Sequence, residues 1–332
     1  MSMIQTRRRF LATTALAGAA GLLRPSPAAA DDERLETTSV RFFKNAVICV
    51  APQYAAEALL RAEGFTDVSY VEVQPADEVP KAIADGRVDF TMSFAVNHIQ
   101  TIDRGAPITI LGGVHIGCYE LFAREGIGSI TELKGKQVGL QTGSPSLLRL
   151  MATQVGLDPD RDLRWVTDPK EKPLELFAQG KIDAFLGFPP EPQELRARGA
   201  SHVILSTAVD RPWSQYFCCM LGGNREYVRR YPVATKRVLR AVLKATDLCV
   251  RDPAGIAHRL VDGGFTPRFD LALATLSEVP YDRWRDYDAE DSIRFYALRL
   301  REAGLIKATP QKLIADNTDW RFLNELKREL KA

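Results

Sequence analysis

Four consecutive residues, Thr142-Gly143-Ser144-Pro145, have the make-up of a loop that receives an anion. Glycine lets a backbone approach a ligand closely. Serine caps a helix start and proline favours its first turn. The free N–H groups and the helix dipole there attract negative charge. Gly143 and Ser144 are therefore candidate ligand contacts. Asn45, Ser93, Asn97 and Gln215 lie in or near comparable loops and could orient a polar ligand through hydroxyl and amide groups. Rings crowd the same stretches: Phe42, Phe43, Tyr54, Phe94, Phe188, Trp213, Tyr216 and Phe217. Tyr54, Phe94, Phe188 and Trp213 are the candidates for stacking on a planar ligand, although any single ring serves equally well in a core.

These groups bind rather than react, and no catalytic residue is expected. Residues 143–147 read Gly-Ser-Pro-Ser-Leu, which is not a Gly-x-Ser-x-Gly elbow. Gly112-Gly113 lacks the Lys-Ser/Thr ending of a phosphate loop. The cysteines (Cys49, Cys118, Cys218, Cys219, Cys249) and histidines (His98, His115, His202, His258) show no ligand spacing, so neither a metal nor a cofactor is expected. The cysteines read as small buried apolar residues, with at least one thiol unpaired because their number is odd. Glu120 stands in an apolar stretch. It either pairs with a lysine or arginine of the tail or meets a ligand amine.

The loops need elements to hold them, and the sequence supplies a repeated set. Ala84-Asp85-Gly86-Arg87-Val88-Asp89-Phe90 leads to Ser93-Phe94. It aligns without gaps with Ala178-Gln179-Gly180-Lys181-Ile182-Asp183-Ala184, which leads to Gly187-Phe188, 94 residues later. In each copy a helix ends at glycine, a strand follows with aspartate near its start, and a loop comes next. Upstream, Pro52 and Pro145 start helices that stop at Gly64-Phe65 and Gly156-Leu157. Strands over residues 68–73 and 163–166 follow them.

Two β-α-β-α units predict two α/β lobes, each a sheet flanked by helices, facing each other across a cleft. Ligands in such folds sit beyond the carboxyl ends of the strands. That points to the loops 44–53, 93–97, 141–146 and 188–191. A strand over 117–123 is expected to cross into the second lobe, and one over 214–221 to cross back. The first lobe is then discontinuous, residues 31–120 plus 220–332, and the second spans 121–219. The tail predicts helices over 227–251 (interrupted at Pro232), from Asp252-Pro253 to Gly263-Gly264, over 289–302 and over 320–331.

The chain opens with Thr6-Arg7-Arg8-Arg9-Phe10-Leu11, an apolar run over 11–23 and Ala28-Ala29-Ala30. That run is shorter than the ~20 residues of a spanning helix, so residues 1–30 read as a cleavable export signal. Its twin arginines resemble the Tat signal of proteins exported folded. A periplasmic mature chain beginning near Asp31 is expected. Removing the four leader arginines takes Lys+Arg from 44 to 40 against 42 acids, so net charge moves from +2 to −2. A nearly neutral chain argues against nucleic acid as a partner.

The set Ala51-Pro52-Gln53-Tyr54, Glu63-Gly64-Phe65, Gly86-Arg87-Val88-Asp89-Phe90, Gly105-Ala106-Pro107-Ile108, Glu132-Leu133-Lys134-Gly135-Lys136-Gln137-Val138-Gly139 and Gly180-Lys181-Ile182-Asp183-Ala184 resembles a known family. These are the periplasmic substrate-binding proteins of ABC importers, in the branch of sulfonate-, nitrate- and taurine-binding proteins and thiamine-pyrimidine synthase-like domains. The resemblance covers residues 38–260. It implies a two-lobed periplasmic-binding-protein-like fold (type II) and a monomer that captures a small organic or inorganic anion and delivers it to ABC permease subunits. A pyrimidine or other planar aromatic solute is the alternative ligand. A synthase-like enzyme is the alternative activity. Against the enzyme stand the export signal and Phe217-Cys218-Cys219-Met220, which keeps only two cysteines where the synthases carry a longer run. A protein-binding sensor would use the same fold without import.

Overall fold

The computed structural model describes residues 34–45, 47–74, 78–140, 145–168, 170–199 and 202–330. The leader and the Thr142-Gly143-Ser144 loop lie outside them. The two echoed segments build two five-stranded sheets. The first holds β1 (Ser39–Phe43), β2 (Asp67–Val71), β3 (Phe90–Phe94), β4 (Ile108–Ile116) and the late strand β10 (Phe217–Asn224), in the order β2-β1-β3-β10-β4. The second holds β5 (Glu120–Ala123), β6 (Gln137–Gly139), β7 (Arg164–Val166), β8 (Ala184–Gly187) and β9 (Val203–Ser206), in the order β7-β6-β8-β5-β9.

The two orders are equivalent strand for strand. β1 runs parallel to β2 and β3, while β10 runs antiparallel to β3 and β4. Likewise β6 runs parallel to β7 and β8, while β5 runs antiparallel to β8 and β9. The chain is thus a two-lobed α/β protein in which each sheet takes its antiparallel strand from a segment that has just crossed from the other.

The repeated aspartate explains why the echo exists. Asp89 donates its N–H to the Arg41 carbonyl at 2.8 Å, and its carboxylate accepts the Arg41 N–H at 2.8 Å. Asp183 does the same with Gln137, again at 2.8 Å and 2.8 Å. Each aspartate carbonyl also accepts from the antiparallel neighbour, Asn224 N–H at 2.7 Å and Arg124 N–H at 2.9 Å. One side chain per sheet therefore fixes the entry register of β3 and of β8. Asp89 is buried and takes the Arg41 guanidinium as well, at 2.7 and 3.0 Å. A charge-assisted bidentate pair suits that burial.

Helices cover the sheets as their apolar faces require. Phe122, Leu174, Leu176, Phe177, Ile182, Phe185 and Leu195 form a core between the second sheet and its helices. The 20-residue helix Pro232–Arg251 buries Val238, Leu239, Val242 and Leu243 against the first. Among the described residues no helix is long and apolar enough to cross a membrane.

Several boundaries differ from the sequence reading. The first crossing is a strand only from Glu120, because residues 117–119 turn between the sheets. The return strand starts at Phe217, because Trp213–Gln215 closes a 3-10 turn. The helix begun near Pro52 is broken into Ala51–Ala55 and Glu57–Ala62. Helices Phe269–Glu278 and Pro310–Asn317 and the fully buried strand β4 carry no strong periodic signal and went unread. Gly112-Gly113 is packing, not a phosphate loop: a Cβ on Gly113 would lie 2.2 Å from the Phe217 ring.

Gly117 is the tightest point. Its φ is +46°, and a Cβ there would sit 2.3 Å from the Ala208 Cα. Gly117→Ala is expected to cost about 2–5 kcal/mol in urea unfolding, from left-handed strain plus overpacking. Gly126→Ala, at φ +88° with open space around it, should cost only the backbone share, about 1–2 kcal/mol. Equal losses would show that the contact with Ala208 carries no weight.

A second expectation concerns pH. Burial pushes the His98 imidazole below its usual 6.5, opposed by the hydrogen bond that Nε2 donates to the Met220 carbonyl. The unfolded chain then protonates first, so this contribution is complete above pH 6.5 and is lost as pH falls below it. Urea unfolding of His98→Gln should show a shallower loss on acidification than wild type. An unchanged slope would contradict the assignment.

Candidate functional site

The chain passes between the sheets twice, at residues 117–119 and 207–216. Thr207 ties the two passages together. Its Oγ1 accepts the N–H groups of Cys118 and Tyr119 at 3.1 and 2.9 Å and donates to the Tyr119 carbonyl at 3.1 Å. The Thr207 N–H reaches the same carbonyl at 2.9 Å. Tyr119 is held in place by its backbone, and its ring sits at the junction.

Two strands end at corresponding positions of the two sheets, β3 at Phe94 and β8 at Gly187. Phe94 is buried, 4.9 Å centroid to centroid from Tyr119. Tyr119 is in turn 5.7 Å from Phe188, which is half-buried. Phe94 also meets Tyr296 edge-on at 5.6 Å, and Tyr296 lies 6.5 Å from Trp213. The structure therefore joins Phe94, Phe188 and Trp213 in one line of rings through Tyr119 and Tyr296. Ser93 and Asn97 flank it, both half-exposed, with Asn97 in the first turn of helix Ala95–Asp103. That helix starts with no side-chain cap. Gln215 is exposed at the second crossing. Gly143 and Ser144 fall outside the described residues.

Asn45 and Tyr54 form a pair of their own. The Tyr54 hydroxyl donates to the Asn45 carbonyl at 2.5 Å and accepts its N–H at 2.8 Å. The Tyr54 ring stacks on Phe265 at 3.8 Å. Burial drives its hydroxyl pKa up. Tyr54 thus shapes the loop after β1 from behind, leaving the Asn45 side chain at its surface. Gln53 braces the same region. It is fully buried, donates to the Phe43 carbonyl at 2.9 Å and accepts the Met92 N–H at 3.2 Å, which ties the end of β1 to the middle of β3.

Glu120 pairs with Arg196 at 2.5 Å. Arg196 belongs to helix Glu191–Ala197 beside the second sheet, not to the tail, as does Gln193. Burial raises the Glu120 carboxyl pKa, and Arg196 opposes the shift. The same guanidinium bonds Glu278 on helix Phe269–Glu278, and Gln193 donates to that carboxylate at 2.7 Å. Glu278 thereby joins a tail helix to the second lobe. Nothing in local spacing announces this contact, because its members are 76 to 85 positions apart. Tyr119 and Thr207 were missed for the same reason.

The cysteine reading also changes. All five are buried free thiols, but Cys49, His115, Cys118 and Cys219 converge, with their ligand atoms within 4.8 Å of one another. They come from three places in the chain, with only His115 and Cys118 close in sequence, so spacing does not announce the set. Thiol donation from Cys118, Cys218 and Cys49 holds the Cys219 sulfur well below the usual thiol range. A surface groove of about 450 Å³ lies elsewhere, among Tyr287, Glu290, Trp320 and Lys327, and contains none of the expected site residues.

Solved structures share this architecture. The alkanesulfonate-binding protein SsuA from Xanthomonas axonopodis pv. citri, bound to MOPS, is 17% identical with a TM-score of 0.67, over 86% of this chain and 100% of that one. The periplasmic nitrate-binding protein NrtA from Synechocystis PCC 6803 is 14% identical with a TM-score of 0.72, over 90% of each chain. The desulfurization enzyme DszB is 14% identical with a TM-score of 0.63, over 88% of this chain and 99% of that one. At these identities the likeness is one of fold. No curated protein sequence matches the chain. Residues 51–256, well over half the length, match the family model described as NMT1/THI5 like, and the chain belongs to that family.

Proposed function

We propose that this chain is an exported, monomeric solute receptor of an ABC importer. It closes its two lobes on a small anion of the sulfonate, nitrate or taurine type and presents the closed form to the permease. The first lobe takes residues 31–120 and 220–332, and the second 121–219. The observation that carries this reading is the matched pair of strand ends. Ser93, Phe94 and Asn97 stand at one, Phe188 stands at the equivalent place on the other, and Tyr119 connects them at the junction. The start of helix Ala95–Asp103 carries no acidic side chain in its first turn, and its dipole favours a negative group there. The loop with Gly143 and Ser144 is proposed as its counterpart. SsuA and NrtA, named for sulfonate and nitrate, lend support through the shared fold.

A planar aromatic solute is the second reading, favoured by the half-exposed Phe188 ring in line with Tyr119 and Phe94. A thermal-shift screen with ethanesulfonate, taurine, nitrate, benzoate and a pyrimidine separates the two. At a hundred times Kd a true ligand adds about 2.7 kcal/mol, which raises the melting midpoint by several degrees. Ser144→Trp should abolish the shift while the unliganded midpoint stays near wild type. Phe188→Ala should weaken an aromatic ligand more than a simple anion. A screen in which no small solute shifts the midpoint would sink the receptor reading.

The Glu278 contact makes a further prediction. An ion pair this exposed is worth about 0.2–1 kcal/mol. Glu278→Ala, by loosening the closed form, should weaken the solute identified above by up to about fivefold in calorimetric titration. An unchanged Kd would mean that the contact plays no part in closure.

A further inference from the structure

The buried group Cys49, His115, Cys118 and Cys219 includes none of the proposed solute contacts, yet it is arranged as a ligand set. Cys49 lies in the turn Ile48–Val50, His115 near the end of β4, Cys118 in the first crossing and Cys219 in β10. Their exposures are 3%, 0%, 8% and 3%. The four ligand atoms lie within 4.8 Å of one another. A tetrahedron with zinc–sulfur arms of 2.3 Å has edges of about 3.8 Å, so side-chain adjustments of an ångström or less would seat an ion.

His115 supplies a second, independent sign. Its Nδ1 lies 3.1 Å from the Ile116 carbonyl oxygen, which can only accept, so Nδ1 carries the proton and Nε2 the lone pair. Nε2 is buried with no hydrogen-bond partner. An orphaned lone pair in a dry interior is costly unless something coordinates it. A histidine whose other nitrogen donates to a backbone carbonyl is the usual state of a metal-bound imidazole.

We propose that Cys49, His115, Cys118 and Cys219 bind one thiophilic, tetrahedral divalent ion of the zinc type in a closed Cys₃His site at the lobe junction. Four protein ligands leave no open position, so the ion is structural, not catalytic. Three thiols lose their protons as it binds, so affinity falls on acidification. The ion ties the first crossing, the end of β4 and the start of β10 to the turn after β1 and so stiffens the junction. Cys218, whose sulfur is 3.0 Å from that of Cys118, stands beside the site. It offers the competing use of these sulfurs, a Cys118–Cys218 disulfide.

The test uses the full chain, stripped with a chelator and kept reduced with a phosphine. Titration with Co²⁺ should give one equivalent bound, with the intense visible bands of tetrahedral cobalt and thiolate-to-metal charge transfer in the near ultraviolet. Zn²⁺ should displace it stoichiometrically and raise the melting midpoint. His115→Gln and Cys219→Ser should weaken binding at least about a hundredfold, beyond the 10–100-fold typical of outer-shell partners, while Cys249→Ser leaves it unchanged. The wild-type cobalt spectrum reports thiolate ligation even where a variant fails to fold. The proposal is overturned if the reduced chain binds no stoichiometric ion, if the bands are those of an oxygen-ligated octahedral ion, or if soluble His115→Gln binds as tightly as wild type. A chain isolated with Cys118 and Cys218 joined, and taking up no ion after reduction, would overturn it too.

Discussion

The two passages between the sheets are bound to each other, and the rest of the molecule follows from that joint. Thr207 holds the backbone of Cys118 and Tyr119 through one oxygen and one N–H. Gly117 lies so close to Ala208 that a methyl group would not fit. Two passages joined in this way cannot flex independently. Any movement of one lobe against the other is a rotation about a single short segment, as in hinge closures where a few residues absorb the change. On the proposed reading, groups on that axis, the Tyr119 ring and the cysteine sulfurs, keep their places as the lobes move, and groups at the strand ends, Ser93, Asn97 and Phe188, are the ones that approach or part.

Duplication supplies the second half of the logic. Asp89 and Asp183 fix β3 and β8 with the same three backbone contacts in each sheet. The two faces are therefore built alike and differ in what their loops carry. Among the contacts between the lobes is the exposed Arg196–Glu278 pair. Such a pair is worth less than a kilocalorie or so, small beside the differential affinity needed to shift a two-state population decisively. A solute touching both faces can supply that difference, so binding energy and closure are coupled.

What the sequence disclosed was whatever rests on local chemistry. Glycine stops, proline starts and the repeated aspartate placed the helix–strand units of both lobes, and the sheet orders match that duplication. The crossings were located but misread as strands at 117–119 and 214–216, because a turn shaped by a distant contact leaves no local mark. The site was legible only in part. Phe94, Phe188 and Trp213 belong to one line of rings. Tyr54 shapes a loop from behind, and its hydroxyl partner is a backbone that no side-chain pattern reveals. Arg196, Thr207 and the Cys₃His group were invisible because their partners lie far away in the chain. Within the Cys₃His group only His115 and Cys118 are near in sequence, and one such pair does not announce a site.

Ligand-driven closure about the joint is the claim on which the functional account turns, and a distance between the lobes measures it directly. Asp85 and Lys181 are exposed at equivalent turns of the two halves. Spin labels at Asp85→Cys and Lys181→Cys, read by pulsed dipolar spectroscopy with and without the solute that stabilises the chain, should show a shorter and narrower distance distribution with solute. An identical distribution in both states, with the solute demonstrably bound, would contradict the account.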